Sequence, residues 1–397
     1  MAASSMYTRY HRSTMSRKGR RKLGMMLEMR NKNNLLLMIF PVLLVAKIIV
    51  AKVLPDKYFF DNNRILAMAL GTAGDRAWGG TYDTAANLFR TINVMHLETM
   101  LQWSICLGVL FTFLISVMIA HADAPDLLQT LFILATVGLL NIYIFTIGKD
   151  IIQFVFFFAV YLVLISPIRR SWVKLLLCAA ILYYESKMFR EYYALIAALV
   201  LAVYVVMTFF RRKKRINGID VAAIVVVLFA IVYAAMVAAS IIMPGEYKTI
   251  LDLRAGYDKS FSDNGITATL ILNRIPGDGL PIFMLNYVIN VFRMMIPIEL
   301  ALRGAYYLPF FAFQCMVTAY VVNLIRQINR IDDPMLYIAL YVYIGYALAS
   351  VLFEPDFGSW TRHEAATFPV LMLLVLNRYQ RVPITEEERM LFARPTL

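Results

Sequence analysis

Three consecutive positions, Arg362-His363-Glu364, offer a planar guanidinium, an imidazole and a carboxylate just ahead of Ala365, Ala366 and Pro369. A guanidinium grips phosphate oxygens in pairs and an imidazole changes charge near neutral pH, so the run combines an anion clamp with a proton acceptor. Its position predicts the N-terminus of a helix, where unpaired N–H groups and the macrodipole favour an anion and, with Arg362, lower the pKa of His363. A second group, Glu185, Lys187, Arg190 and Glu191, is interleaved with Tyr183, Tyr184, Tyr192 and Tyr193, and Lys149-Asp150 and Arg254 (with Asp258 and Lys259) complete the set. His363, Arg362, Arg190 and Glu191 are the catalytic candidates, with His363 favoured as base over Glu185, Glu191 and Glu364 and with Glu191 orienting Arg190. Lys149, Asp150, Lys187, Arg254, Tyr192 and Glu364 are the binding candidates. Plainer roles compete: Lys149-Asp150 as the end of a helix, Lys187 and Glu191 as an intrahelical pair four apart, and the tyrosines as an interfacial belt.

Several chemistries lack their signatures. The sequence holds no Gly-x-x-x-x-Gly-Lys-Ser/Thr loop, no His-Glu-x-x-His helix and no dinucleotide fingerprint, so nucleotide, zinc and nicotinamide cofactors are not expected. Cys106, Cys178 and Cys315 each lie inside an apolar run and form no Cys-x-x-Cys motif or disulfide framework.

The elements that must position these residues are membrane helices. Of 397 residues 60% are hydrophobic and only 16% charged, too few to wet a soluble surface. The net charge of +13 comes in short clusters between apolar runs, which reads as an orientation signal rather than a nucleic-acid surface. Residues 1–34 form a basic cytoplasmic arm with a single acid, Glu28, and the first span is expected to be retained rather than cleaved. A span needs roughly 20 apolar residues, which places helices near 35–54, 99–120, 127–148, 151–168, 173–185, 193–210, 219–243, 305–325, 335–353 and 366–378. With both termini inside, 23 of the 39 Lys and Arg fall on the cytoplasmic side. The expected fold is therefore all-α and polytopic: one transmembrane domain over 35–378, a cytoplasmic tail over 379–397, and two long outer loops, 55–98 and 244–304, that carry short interfacial helices. An ionisable group in hydrocarbon costs about 2.5 to 3.5 kcal/mol, so candidates gathered on one outer face point to function.

This layout resembles the Wzy-type O-antigen and capsular polysaccharide polymerases. The similarity covers most of the chain in topology and rests on Lys57-Tyr58-Phe59-Phe60-Asp61, Tyr82-Asp83-Thr84, Gly148-Lys149-Asp150, Lys187 to Tyr193, and Trp360-Thr361-Arg362-His363-Glu364. The resemblance implies a GT-C-like glycosyltransferase of the bacterial inner membrane. It would join oligosaccharide repeat units carried on undecaprenyl pyrophosphate at the periplasmic face, with no nucleotide sugar or metal, alongside a possible chain-length regulator. Preorganised Arg and Lys would stabilise the pyrophosphate leaving group. Two rivals are an O-antigen-ligase-like enzyme with Asp61 as base, and a lipid-linked oligosaccharide flippase or other transporter, whose charges should sit near the bilayer midplane.

Overall fold

In hydrocarbon every backbone N–H and C=O must find its partner within its own segment, so runs of Leu, Ile, Val and Phe fold as helices. The computed structural model describes residues 17–242, 244, 245, 247, 248, 250–252, 269–354 and 356–382. The chain opens with α1 (Arg17–Lys52), followed by the short α2 (Phe60–Ala69) and α3 (Thr81–Ile92). Next come α4 (Met100–His121) and α5 (Leu127–Leu139), whose end passes into a π-helical turn over Leu140–Ile144. Four helices follow: α6 (Asp150–Ile165), α7 (Ser171–Met188), α8 (Tyr193–Arg211) and α9 (Gly218–Ile242). The later part contains α10 (Leu280–Met295), α11 (Ile298–Ala301), α12 (Leu308–Arg326), α13 (Pro334–Phe353), α14 (Phe357–Ala366) and α15 (Phe368–Val375). Among the described residues there is no β-strand, only an isolated bridge between Leu270 and Asp356.

Seven of the described helical segments are long and apolar enough to cross a bilayer: Gly24–Lys52, Met100–His121, Leu127–Ile144, Tyr193–Arg211, Gly218–Ile242, Ala305–Arg326 and Pro334–Phe353. Their outer faces expose Phe40, Leu44 and Ile48 on α1, Val109 and Phe113 on α4, and Val226 on α9. Apolar surface of that extent is stable only against lipid, so the protein is a membrane-embedded helical bundle. Its centre is α13, buried along nearly its whole length. Gly345 lets α13 approach α8 so closely that a Cβ there would lie 2.8 Å from Val200 Cγ2 and 2.9 Å from Val200 N, the use of small residues typical of membrane helix contacts.

Three expected spans differ from that pattern. The segments expected at 151–168 and 173–185 are α6, of 16 residues, and α7, of 18 residues carrying Lys174, Glu185 and Lys187. The helix expected at 366–378 is broken: α15 has only eight residues, all buried, and at 1.5 Å per residue spans roughly 12 Å. The chain nevertheless returns across the bundle, because Val382 N donates to Asp126 Oδ2 at the start of α5 (2.6 Å) and Asn323 Nδ2 at the end of α12 donates to Gln380 Oε1 (2.7 Å). The break in the helix lies packed in protein, where irregular backbone is tolerated. The described part of the basic arm, residues 17–34, is helical and continuous with the first span, α1 running unbroken through Pro41.

Among the described residues of 244–304, three charges form a cluster. Glu299 accepts from Arg293 Nε and Nη2 (both 2.8 Å) and from Arg274 Nη2 (2.7 Å), and these guanidinium bonds, Arg293's foremost, hold its carboxyl down at about 2. This cluster ties α10 to α11.

Candidate functional site

Three connections meet at one end of the bundle: 145–149 between α5 and α6, 189–192 between α7 and α8, and 354–356 between α13 and α14. The first is shaped by the π-helical turn. The widened turn and the helix end leave carbonyls without helical donors, and the buried Lys47 of α1 supplies them, donating to Asn141 O (2.6 Å), Phe145 O (3.3 Å) and Ser104 Oγ (3.0 Å). Asn62 of α2 then donates to Ile147 O (2.6 Å), and at Gly148 a Cβ would lie 2.6 Å from Asn62 Nδ2. The glycine therefore allows the contact that fixes Lys149 and Asp150.

Arg190 is the hub of the site. Its Nη1 donates to Gln153 Oε1 (3.0 Å) and Tyr192 Oη (3.1 Å), and its Nη2 donates to Asp150 Oδ1 (3.1 Å) and faces His363 Nε2 (3.1 Å). Arg190 is 9% exposed and Asp150 13%, so this is a nearly desolvated ion pair, supported by the contacts of Nη1 with Gln153 and Tyr192. His363 Nδ1 lies 2.5 Å from Glu354 Oε1, its Nε2 also lies 3.1 Å from Asp150 Oδ1, and its carbonyl accepts from Gln153 Nε2 (2.8 Å).

These contacts suit two protonation states of one ring. In the neutral ring Nδ1–H donates to Glu354 and the Nε2 lone pair accepts from Arg190. In the imidazolium Nε2–H turns to Asp150. Burial works against the charged ring, but the carboxylates of Glu354 and Asp150 outweigh it and raise the His363 pKa above its ordinary value. The sequence-based expectation is the reverse, resting on the neighbouring Arg362 and on a helix N-terminus. His363 instead sits in the last turn of α14, whose N-terminus is capped by Asp356 accepting from Gly358 N (2.7 Å) and Ser359 N (2.9 Å). A helix C-terminus favours a cation.

The other candidates separate. Lys149 pairs with Asp61 Oδ2 (3.2 Å) and lies 3.9 Å over the Tyr82 ring, so both early motifs join this end of the bundle. Arg362 reaches Ser359 Oγ at 3.5 Å and makes no ion pair among the described residues; it borders a small hollow lined by Leu139, Tyr143 and Phe310. Both Lys149 and Arg362 act electrostatically on Asp150.

Glu191 is exposed and does not orient Arg190; Asp150, Gln153 and Tyr192 do. Lys187 is exposed over the Tyr183 ring (5.3 Å), and α7 ends at Met188, so no continuous helix joins it to Glu191. Tyr192 stacks on Phe353 (4.6 Å) as a support for Arg190 rather than an open platform. Glu185 and Glu364 are fully buried inside the bundle, away from the surface that the sequence placed them on. Glu364 accepts from Gln314 Nε2 (3.2 Å) and from the Tyr343 phenol. Arg254, with Asp258 and Lys259, lies outside the described residues.

Gln153 and Glu354 were missed. Glu354, a lone carboxylate directly after an apolar run, carried a readable signal. Gln153 carried none, being one amide within an apolar helix. Among the described residues no three His, Cys, Asp or Glu side chains are grouped as metal ligands would be. No family model, curated protein or solved structure matches the chain.

Proposed function

We propose that the protein is a glycosyltransferase of the Wzy type, joining lipid-pyrophosphate-linked oligosaccharides into O-antigen, capsular or exopolysaccharide at the outer face of a bacterial inner membrane. The observation that carries this reading is the Arg190–Asp150–His363–Glu354 cluster, assembled from three connections at one end of a membrane bundle and flanked by Lys149 and Arg362. A glycosyl transfer from a lipid pyrophosphate needs cations where negative charge develops and a base for the acceptor hydroxyl. Arg362, free of a carboxylate partner among the described residues, and Lys149 supply the first; His363, seated between two carboxylates, supplies the second. Arg190 stands against His363 Nε2 in the resting site, so its movement toward the pyrophosphate would uncover the basic nitrogen.

Ten crossings with both termini cytoplasmic fit this reading, with α6, α7 and the broken α14–α15 segment added to the seven long helices. The helices in 55–98 and the second long loop would then lie at the outer interface.

A transporter reading draws support from Glu185 and Glu364, which are ionisable and buried within the bundle. Reconstituting the purified protein with a defined lipid-linked repeat unit separates the readings. A ladder of products at multiples of the unit is expected. Transfer of the unit between leaflets without a new glycosidic bond would establish transport, and single-unit transfer to a different acceptor would establish a ligase-like enzyme.

A further inference from the structure

At the end of the bundle opposite Arg190, the connection between α8 and α9 carries five consecutive cations, Arg211 to Arg215. Both flanking helices are long and apolar enough to cross a bilayer. With 19 residues at 1.5 Å each, α8 is roughly 28 Å long, about the thickness of the hydrocarbon core. Its start follows directly on Arg190, so its end, with the five cations, falls at the other lipid–water boundary.

Two of the five fix the loop. Arg211 Nη2 donates to Ile331 O (2.8 Å) and its guanidinium lies 3.8 Å over the Tyr337 ring. Lys213 pairs with Asp220 Oδ1 (2.6 Å), while Asp220 Oδ2 accepts from Asn217 N (2.9 Å) and Asn217 Oδ1 accepts from Asp220 N (2.9 Å). From the α12–α13 connection, Asn329 Nδ2 donates to Lys214 O (2.9 Å). The other three cations, Arg212, Lys214 and Arg215, are exposed, and their side chains make no hydrogen bond or ion pair among the described residues. They stand on a loop that is already tied down, so a ligand has little ordering left to impose.

The surface leading to them is apolar. Leu201, Val205 and Phe209 are exposed on α8 at a spacing of four, and Arg212 follows three residues later, still in helical conformation. At 100° per residue these four positions share one face, so a stripe open to lipid ends in a guanidinium. Beyond the loop, Ile219 and Val226 open α9 to lipid as well. A ligand that fits this surface carries an anion at the boundary and hydrocarbon beneath it.

We propose that the α8–α9 loop binds an anionic phospholipid, its phosphodiester held by Arg212, Lys214 and Arg215 and an acyl chain lying along Leu201, Val205 and Phe209. Guanidinium and ammonium groups make charge-assisted bonds to phosphate oxygens. A soluble anion would leave the apolar stripe unused, and a zwitterionic lipid brings its own cation to a place that already has three. A protein or nucleic acid in the aqueous phase would meet the cations but not Val205 and Phe209. The inference does not rest on the glycosyltransferase reading, because it concerns the opposite boundary.

Native mass spectrometry of the purified full-length protein in detergent, titrated with phosphatidylglycerol or with phosphatidylcholine of the same acyl chains, measures the affinity for the first bound lipid. Phosphatidylglycerol should bind more tightly. A Lys or Arg near an anionic headgroup contributes about fivefold, so the triple variant Arg212→Gln, Lys214→Gln, Arg215→Gln should lose about tenfold or more in affinity for phosphatidylglycerol and little for phosphatidylcholine. A control variant, Arg169→Gln, Arg170→Gln, Arg326→Gln, removes three exposed cations from the same boundary and should keep the wild-type preference. Glycerol phosphate at the same concentration should not displace the lipid. Helical circular dichroism and elution volume check folding; if the triple variant aggregates, Arg212→Gln alone should show a loss of about fivefold. A lipid preference unchanged in the folded variant, an equal loss in the control variant, or displacement by glycerol phosphate overturns the proposal.

Discussion

Glu354 Oε1 and His363 Nδ1 lie 2.5 Å apart, joining the end of α13 to the last turn of α14. The contact orients the ring so that Nε2 faces Arg190 and Asp150, the arrangement of a base whose partner fixes its tautomer. Because the His363 pKa is raised, a reaction that uses it as base should show an acid limb above the ordinary value of about 6.5. Glu354→Gln should move that limb downward, and His363→Ala should cost about 10²-fold or more in turnover. Product ladders followed from pH 5 to 9 check both; an acid limb unmoved by Glu354→Gln would separate the carboxylate from the base.

The same raised pKa has a consequence for stability. A histidine whose folded pKa exceeds its unfolded value contributes stability that is fully present below about pH 6.5 and is lost as pH rises through the folded pKa. Thermal unfolding in detergent should therefore show a fall in Tm across that window. Glu354→Gln should flatten it.

Arg190→Lys keeps the charge but loses the fork that reaches Gln153, Tyr192 and Asp150 together. Each hydrogen bond to a charged group is worth about 1.5 to 3 kcal/mol, so activity should fall at least about tenfold while insertion persists. Arg190→Ala should be worse, losing about 3 to 5 kcal/mol by stranding Asp150. Unfolding midpoints and activity of the two variants, measured side by side, test the ranking.

Gly345→Ala places a methyl against the backbone of Val200, which cannot rotate aside as a side chain can. The α8–α13 contact should open at a cost of about 1 to 3 kcal/mol. A lowered Tm with the spectrum of a helical protein is expected; an unchanged Tm would mean the helices separate freely.

Topology tags offer a test independent of activity. Tags at the N-terminus, within Arg211 to Arg215, and at the C-terminus should report the cytoplasm, and a tag near Asp356 should report the outside. A C-terminus found outside would show that the broken α14–α15 segment does not complete a crossing.

Much of this protein is legible from its sequence. The scarcity of charge and the lengths of the apolar runs require a helical membrane bundle, since no soluble fold hides so much apolar surface. The charge clusters between those runs also lead directly to the segments that carry Lys149, Asp150, Arg190, Arg362 and His363. Which carboxylate serves which cation is a different kind of fact. Successive residues on a helix point about 100° apart, so Glu364, next to His363 in sequence, turns into the core while His363 turns to Asp150 and Arg190. Glu354 meets the ring through a turn between two helices, and Glu191, adjacent to Arg190, points to open surface. Local sequence sets the residue types near the site. Packing of α6, α8, α13 and α14 sets their partners, because burial and pairing depend on helix phase and on neighbours far away in the chain.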